Sequence, residues 1–445
     1  MHIHHAFTGI PRKYWTETVQ YFSTNQQSTA VGFREALFNG LAPDRGLYIP
    51  ESIPEFDAAF FGSEMTYCEL AAEMIQPFVS ENISFAELMD LCNAAFTFDI
   101  PLVCLIDDIY VLELFHGPTM AFKDFAARFM ARCMEHLLSE EITILVATSG
   151  DTGSAVANGF FDLDGIQVVI LYPSGRVSAI QEQQLTTYGG NITALEVEGS
   201  FDDCQHMVKE AFVDQKVNQQ RSLSSANSIN IARILPQSVY YAWAWKQIGT
   251  DQPIVFSVPS GNFGNLTGGI LAKHMGLPVE KFIAATNAND VFPKYLQSGV
   301  FKAKPSKQTI SNAMDVGKPS NFDRILKIYN ENVTDIRRDL ISWSFQDDET
   351  RNAIQYTKDK FNYLTDPHTA VGLSGIEKFR QEVNARHTGI ALATAHPGKF
   401  PQVVEPIIKE QIAIPRKLQK AMKKEKNSIT IPAHYSYLKD FLIDT

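Results

Sequence analysis

A single lysine stands where a strand gives way to a helix. The run His116-Gly-Pro-Thr-Met-Ala-Phe-Lys123-Asp124 follows an apolar stretch, 110–115, that reads as a strand, and Gly117-Pro118 breaks it. From Phe122 the apolar residues fall at Phe122, Phe125, Ala126, Phe129, Met130, Cys133 and Leu137, the spacing of one helix face. Lys123 is therefore in a first helical turn, where the positive end of the dipole opposes protonation of an amine. Phe122 and Phe125 disfavour the ammonium further by desolvation. A lysine kept neutral can form an imine with an aldehyde. A lysine on an amphipathic helix is ordinarily a surface residue, so the reading depends on what the other loops bring.

Four further motifs lie between a strand and a helix or at a strand end. Ser257-Val-Pro-Ser-Gly261-Asn262-Phe263-Gly264-Asn265 leads into a helix, and its glycines let several N–H groups converge on an anion at the positive helix end. It lacks the lysine of a P-loop and is not Gly-x-Gly-x-x-Gly. Thr148-Ser149-Gly150-Asp151-Thr152-Gly153 offers hydroxyls and bare N–H groups that suit a carboxylate. Asn227-Ser228-Ile229-Asn230-Ile231-Ala232-Arg233 gathers amides, a hydroxyl and a guanidinium whose fork matches phosphate oxygens. Thr394-Ala-His-Pro-Gly-Lys399-Phe follows a short strand, and a hydroxyl at that end can bond a ring nitrogen. Each motif alone also fits a plain capped helix or a strand end. Together they match the needs of pyridoxal phosphate: an imine lysine, a phosphate nest, a ring-nitrogen partner and a seat for an amino-acid carboxylate.

The elements that must position these groups alternate. Strands are expected at 142–147, 168–171, 192–198, 253–258, 282–285 and 390–393. Helices are expected at 152–161, 176–188, 202–217, 236–248 and 266–275. Such alternation argues a parallel, doubly wound sheet, with ligands at the carboxyl ends of its strands. Residues 21–108 read as a mixed N-terminal region, with a helix over 28–37 capped by Ser28 and others over 66–79 and 84–96. The expected domains are 1–108, with a short N-terminal extension; 109–245, a smaller α/β domain carrying Lys123 and the substrate loops; and 246–445, a larger α/β domain carrying the phosphate loop. His2, His4 and His5 belong to the extension and do not suggest a metal site.

The chain has 445 residues, 45% hydrophobic and 20% charged, which suits a globular enzyme of two or three domains. Its 39 Lys plus Arg stand against 50 Asp plus Glu, a net charge of −11 with no long basic block, so neither nucleic acid nor membrane is expected as a partner. Cys68, Cys92, Cys104, Cys133 and Cys204 are scattered, with no Cys-x-x-Cys, as in a reducing compartment. No apolar run approaches transmembrane length and no signal-peptide core is present, so a cytoplasmic enzyme is expected, as a monomer or homodimer.

In this order the motifs resemble the threonine synthases, fold-type II pyridoxal-phosphate enzymes of the tryptophan synthase β-like kind. The likeness extends from Tyr21-Phe-Ser-Thr-Asn through Asp44-Arg-Gly-Leu-Tyr, Ser311-Asn-Ala-Met-Asp315 and Asp366-Pro-His-Thr-Ala-Val371 to Thr394-Ala-His-Pro. It is nearest to the bacterial and fungal branch, without the long N-terminal extension of plant forms. The resemblance implies that Lys123 forms the imine and that Gly261, Asn262, Phe263, Gly264 and Asn265 bind the cofactor phosphate. Thr394 would face the pyridine nitrogen. Asp151 stands where many relatives have an asparagine near the cofactor 3′-oxygen. Ser149, Gly150 and Thr152 would hold the substrate carboxylate. Asn227, Ser228 and Arg233 would hold the substrate phosphate, with Asn230 close by.

The implied reaction takes O-phospho-L-homoserine and water to L-threonine and phosphate, by γ-elimination and then β-addition of water. An O-phosphohomoserine phospholyase releasing 2-oxobutanoate, and a threonine or serine dehydratase, share the same first steps. A non-catalytic binding protein on the scaffold is the reading outside enzymology. If Lys123 carries the imine, Lys123→Ala should abolish the visible absorbance of the cofactor-loaded protein together with its turnover; turnover retained by this variant would remove the lysine from that role.

Overall fold

The computed structural model describes residues 18–250, 252–383 and 386–444. The histidine-bearing N-terminal extension thus lies almost wholly outside the described residues. The chain begins with an antiparallel pair, β1 (Tyr21–Ser23) and β2 (Tyr48–Pro50). Three helices follow, the short Ala58–Phe61 and then Tyr67–Val79 and Phe85–Ala95, the last two opened by reciprocal caps, Thr66 with Glu69 and Ser84 with Glu87. Where a helix was expected over 28–37, the structure starts it later, at Phe33–Asn39, behind Gly32. Val31 is still extended there, exchanging backbone hydrogen bonds with Tyr21 (2.8 and 2.9 Å). Ser28 accepts the Asp44 N–H (3.2 Å) rather than capping a helix.

Two sheets follow. The first contains β3 (Leu102–Ile106), β4 (Ile109–Glu113), β9 (Ile254–Pro259), β10 (Lys281–Thr286), β11 (Leu340–Ser344) and β12 (Thr388–Ala393), in the order β11-β10-β9-β12-β4-β3. Only the edge strand β3 runs antiparallel to its neighbour. The second contains β5 (Ile142–Ala147), β6 (Ile166–Pro173), β7 (Ile192–Glu198), β8 (Leu223–Ser225) and β13 (Ile429–Pro432), all parallel, in the order β13-β7-β6-β5-β8. Every residue of β5, β9 and β12 is buried, as expected of strands covered on both faces. The fold is thus mixed α/β with two parallel sheets and an N-terminal region, as expected.

The sheets do not divide at 109 and 246. β3 and β4 belong with the first sheet, because β4 pairs with β12, about 280 residues later, over Gly389↔Ile109 to Ala393↔Glu113. β13 returns from the C-terminal region to the edge of the second sheet, against β7. The helix expected over 202–217 is two helices, Phe201–Val213 and Gln215–Gln220. Asp214 stops the first and caps the second by accepting the N–H groups of Lys216 and Val217.

One fully buried cation joins the parts. The Arg324 guanidinium donates to the carbonyls of Tyr48 (2.9 Å), Ser228 (2.9 Å) and Ile229 (2.5 Å) and to Asn321 Oδ1 (2.6 Å). It therefore ties β2 of the N-terminal region to the 227–233 loop and to the start of the Phe322–Ile328 helix. Arg324→Met would strand four acceptors, two buried and two partly buried, and each such loss costs about 1 kcal/mol. The expected result is a urea midpoint lowered by the equivalent of about 3–4 kcal/mol; an unchanged midpoint would show that the junction does not depend on this residue.

Candidate active site

The loops that follow β4, β5, β8, β9 and β12 converge on one cleft of about 620 Å³. Lys123 enters it from the first turn of the Lys123–Leu137 helix. Backbone pairing fixes its place, since Leu114 N–H donates to Ala393 O (3.0 Å), His396 N–H to Met120 O (3.1 Å) and Phe122 N–H to Thr394 O (2.9 Å). Lys123 and Thr394, 271 residues apart in sequence, are in this way held on neighbouring strand ends. Asp124 closes the same loop: its carboxylate takes the Thr119 N–H (2.8 Å) and hydroxyl (2.6 Å).

Next to Lys123 stands a buried ion pair. Asp151 opens the Asp151–Phe160 helix, and its Oδ1 accepts from Lys399 Nζ (2.6 Å) and Gln181 Nε2 (2.8 Å). Lys399 has no exposed side-chain surface, and its ammonium also donates to Thr119 O (2.9 Å). Although burial works against the charge, the two lysines hold the Asp151 carboxyl well below the usual carboxylate range. Burial lowers the Lys123 amine from its ordinary value; Asp151 opposes this, and Lys399 and Arg233 assist it. Lys123 lies deep in the protein yet opens on the cleft, so its nitrogen is reachable by a ligand.

The phosphate loop is built for close approach. A Cβ at Gly261 would stand 2.7 Å from Met314 Cα and 3.0 Å from Ala313 O, so only glycine fits beneath the 311–315 segment. Phe263 holds a left-handed conformation (φ +60°) that turns the chain into the Gly264–His274 helix. The N–H groups of residues 264–266, in that helix's first turn, find no acceptor among the described residues. Asn262 is engaged with protein: its Nδ2 donates to Ser228 Oγ (2.7 Å), and its Oδ1 accepts from Ser320 N–H (2.7 Å) and hydroxyl (2.9 Å). Asn265 Oδ1 accepts from the hydroxyls of Tyr240 (2.5 Å) and Tyr241 (2.7 Å), while its Nδ2 is buried without a partner.

Ser149, Gly150 and Thr152 line the cleft at the end of β5. Gly150 has φ +149°, and a Cβ there would meet the Gln181 side chain at 2.7 Å. Asn227, Ser228 and Arg233 also line it. Arg233 is 3% exposed, and its Nε and Nη1 have no partner. Burial pulls this guanidinium down to about 10, with Asp124 acting in the opposite sense, so it remains charged at neutral pH. Asn230 is elsewhere. Its amide is spent on Leu37 O (2.7 Å), Ser225 O (3.2 Å) and the Ala232 N–H (3.1 Å), which makes it a brace of the loop and not a lining residue.

Several residues of the site carried no role in the sequence reading. Lys399 lies five residues after Thr394, where nothing local marks it as the partner of Asp151. Gln181 and Arg324 had no local signal, because their partners are distant in sequence. His368 lines the cleft and accepts the Ala313 N–H (3.2 Å) on Nε2, with Nδ1 against Asp366 (3.1 Å), so it supports the segment that covers Gly261.

Fold and site together define a pyridoxal-phosphate enzyme, and the family model described as pyridoxal-phosphate dependent enzyme matches residues 104–394. Models of the threonine synthase N terminus and C-terminal region match residues 20–96 and 369–442. The chain belongs to the threonine synthase family. It is 44% identical to the Haemophilus influenzae threonine synthase over 393 residues, 88% of this chain and 91% of that one. The crystal structure of the Escherichia coli threonine synthase superposes with a TM-score of 0.90 at 38% identity, covering 96% of this chain and 99% of that chain. The PLP-bound threonine synthase of Brucella melitensis gives the same TM-score at 36% identity and the same coverages.

The residues present fit pyridoxal phosphate. A deep amine opens on the cleft, a helix start offers free N–H groups under a glycine that admits no side chain, and buried nitrogens of Arg233 and Asn265 lack partners. Gly261→Val should therefore weaken cofactor retention by tenfold or more, measured as the dissociation constant of pyridoxal phosphate by absorbance titration. Unaltered affinity in the folded variant would mean that the phosphate sits elsewhere.

Proposed function

We propose that this enzyme converts O-phospho-L-homoserine and water to L-threonine and inorganic phosphate, with Lys123 as the imine-forming lysine and proton carrier. The observation that carries the substrate assignment is the Arg233 guanidinium. It is charged and buried, it lines the cleft together with Asn227 and Ser228, and two of its nitrogens lack protein partners. A buried cation without an anion is costly, and a phosphate ester would meet that need with a fork-to-oxygen geometry. An unphosphorylated hydroxy amino acid would leave the guanidinium bare.

Pyridoxal phosphate, when bound, supplies an electron sink for carbanion character at the substrate carbons. The remaining work belongs to side chains and backbone. The N–H groups at the start of the Gly264–His274 helix would bind the cofactor phosphate. Thr394, which lines the cleft, would offer the ring nitrogen a hydroxyl and not a carboxylate. Ser149, Gly150 and Thr152 seat the substrate carboxylate at the start of the Asp151–Phe160 helix, where the dipole favours an anion. Arg233, Asn227 and Ser228 hold the phosphate that leaves from Cγ. Lys123, which faces the cleft and whose charge is disfavoured by burial, would take the α-proton and return protons later in the sequence. Late addition of water at Cβ requires that the cleft admit water only after phosphate has left.

The five cysteines are free, and Cys92, Cys133 and Cys204 are buried, which supports a cytoplasmic enzyme. No helix among the described residues is long and apolar enough to cross a membrane. The test is product analysis with purified protein, pyridoxal phosphate and O-phospho-L-homoserine, following phosphate, threonine and 2-oxobutanoate together. Threonine should match phosphate mole for mole. Phosphate accompanied by 2-oxobutanoate, with little threonine, would make this a phospholyase.

A further inference from the structure

Asp151 poses an electrostatic problem. A carboxylate beside an imine-forming lysine favours that lysine's ammonium, the form that cannot attack an aldehyde. The helix of Asp151 and the helix of Lys123 pack against each other, and both residues line the cleft. Lys399 approaches from a third direction. It lies in the short Pro397–Lys399 turn after β12, so the loop that delivers Thr394 delivers this ammonium as well. Its two acceptors are Asp151 Oδ1 (2.6 Å) and Thr119 O (2.9 Å). Thr119 belongs to the loop leading into Lys123, and its carbonyl also accepts Gln184 Nε2 (3.1 Å). Gln181, on the same helix as Gln184, holds Asp151 Oδ1 (2.8 Å). The pair is therefore fixed from three sides, with both charges out of water.

We propose that Lys399 is a positioning residue for the imine lysine: its buried ammonium neutralises Asp151, so that Lys123 faces a closed ion pair and not a bare carboxylate. The inference rests on the assignment of Lys123 above. The charged groups that face Lys123 are Asp151, Lys399 and Arg233, with Asp124 on its own helix. Asp124 is already engaged by Thr119, and it is the anion that acts on Arg233. Lys399 is thus the cation that decides whether the Asp151 charge reaches Lys123. The same pairing accounts for an aspartate at this position. An asparagine would need no counter-ion, whereas an aspartate with Lys399 presents a neutral pair carrying a strong dipole.

The signs follow from charge alone. With Lys399→Met, Asp151 is left bare and the protonated form of the lysine nitrogen gains. The pH midpoint of the visible absorbance of the cofactor-loaded protein should rise by about one unit or more. With Asp151→Asn, Lys399 remains as an unpaired cation and the midpoint should fall. With both substitutions the charges vanish together and the midpoint should return toward that of the parent. A residue that only filled space would give no such reversal.

If Lys399→Met does not fold, the comparison of Asp151→Asn with the double variant carries the test by itself. A second readout does not use the cofactor. In cofactor-free protein, the pH at which Lys123 becomes half-reactive to formaldehyde and cyanoborohydride, read by peptide mass spectrometry, should move in the same directions. Midpoints that stay put in the single variants, or a double variant that keeps the shift of a single one, would overturn the proposal. Product analysis that fails to find threonine would overturn the functional reading and leave these midpoints as they are.

Discussion

A cation removed from water must find lone pairs, and this enzyme meets that demand differently at four deeply set positions. Arg324 is saturated by three carbonyls and an amide oxygen. Lys399 has a carboxylate and a carbonyl. Arg233 keeps two nitrogens without partners, and Lys123 opens on the cleft with its charge disfavoured. The first two hold the protein together, while the other two are held ready for a ligand. The division is physically sensible, since a saturated buried cation is rigid and has no affinity to spare. An unsaturated one is costly until an anion or an aldehyde arrives. The fold must supply enough stability elsewhere to keep Arg233 in place.

That stability comes from topology as much as from apolar burial. β4 and β12 are neighbours in the first sheet, so the loops that follow them leave side by side. Lys123, Thr394 and Lys399 reach one place by that single pairing. β5 and β8 are neighbours in the second sheet, so the 148–153 loop and the Asn227–Arg233 loop also leave together. The site lies where these two bundles of loops face each other, as expected of the carboxyl ends of parallel strands. Arg324 stitches the seam between the 227–233 loop, the 320–324 segment and β2, and Asn321 repeats the stitch by donating to Ser228 Oγ (3.2 Å) and Asn262 O (3.0 Å).

Much of this was legible in the residues. Each strand-to-helix loop announces itself by glycine, hydroxyl and amide residues at the end of an apolar run, and most strands fall within two residues of their expected bounds. What could not be read is pairing between distant segments. Nothing near 109 says that β4 will pair with β12, or that β13 will cross back to β7, so the expected divisions at 109 and 246 do not match the sheets. Ser28 has the chemistry of a cap, yet an extended bridge through Val31 leaves it outside the helix. Asn230 has the chemistry of a ligand residue and is used as a brace. In each case the local residue type was compatible with two roles, and a partner far along the chain chose between them.

The C-terminal segment shows why distance matters for the site itself. After β12 the chain passes behind the loop that carries Lys123. Lys417 Nζ donates to His116 O (2.7 Å), and Leu418 packs with Met120 and Ile180. Lys426 then binds Glu182 (2.7 Å) and Glu196 (2.6 Å) before β13 joins the second sheet. The helix bearing Gln181 and Gln184 is therefore clamped between the cleft and this segment. Gln181 holds Asp151, Gln184 holds the Thr119 carbonyl, and Lys399 bridges the two. The charges around the lysine are thereby held by protein partners, which is the condition under which fixed dipoles are most effective. A site whose polar groups are set in advance needs little rearrangement when a ligand enters. The deeply set cations left open to the cleft are then Lys123 and Arg233, two of whose nitrogens lack protein partners.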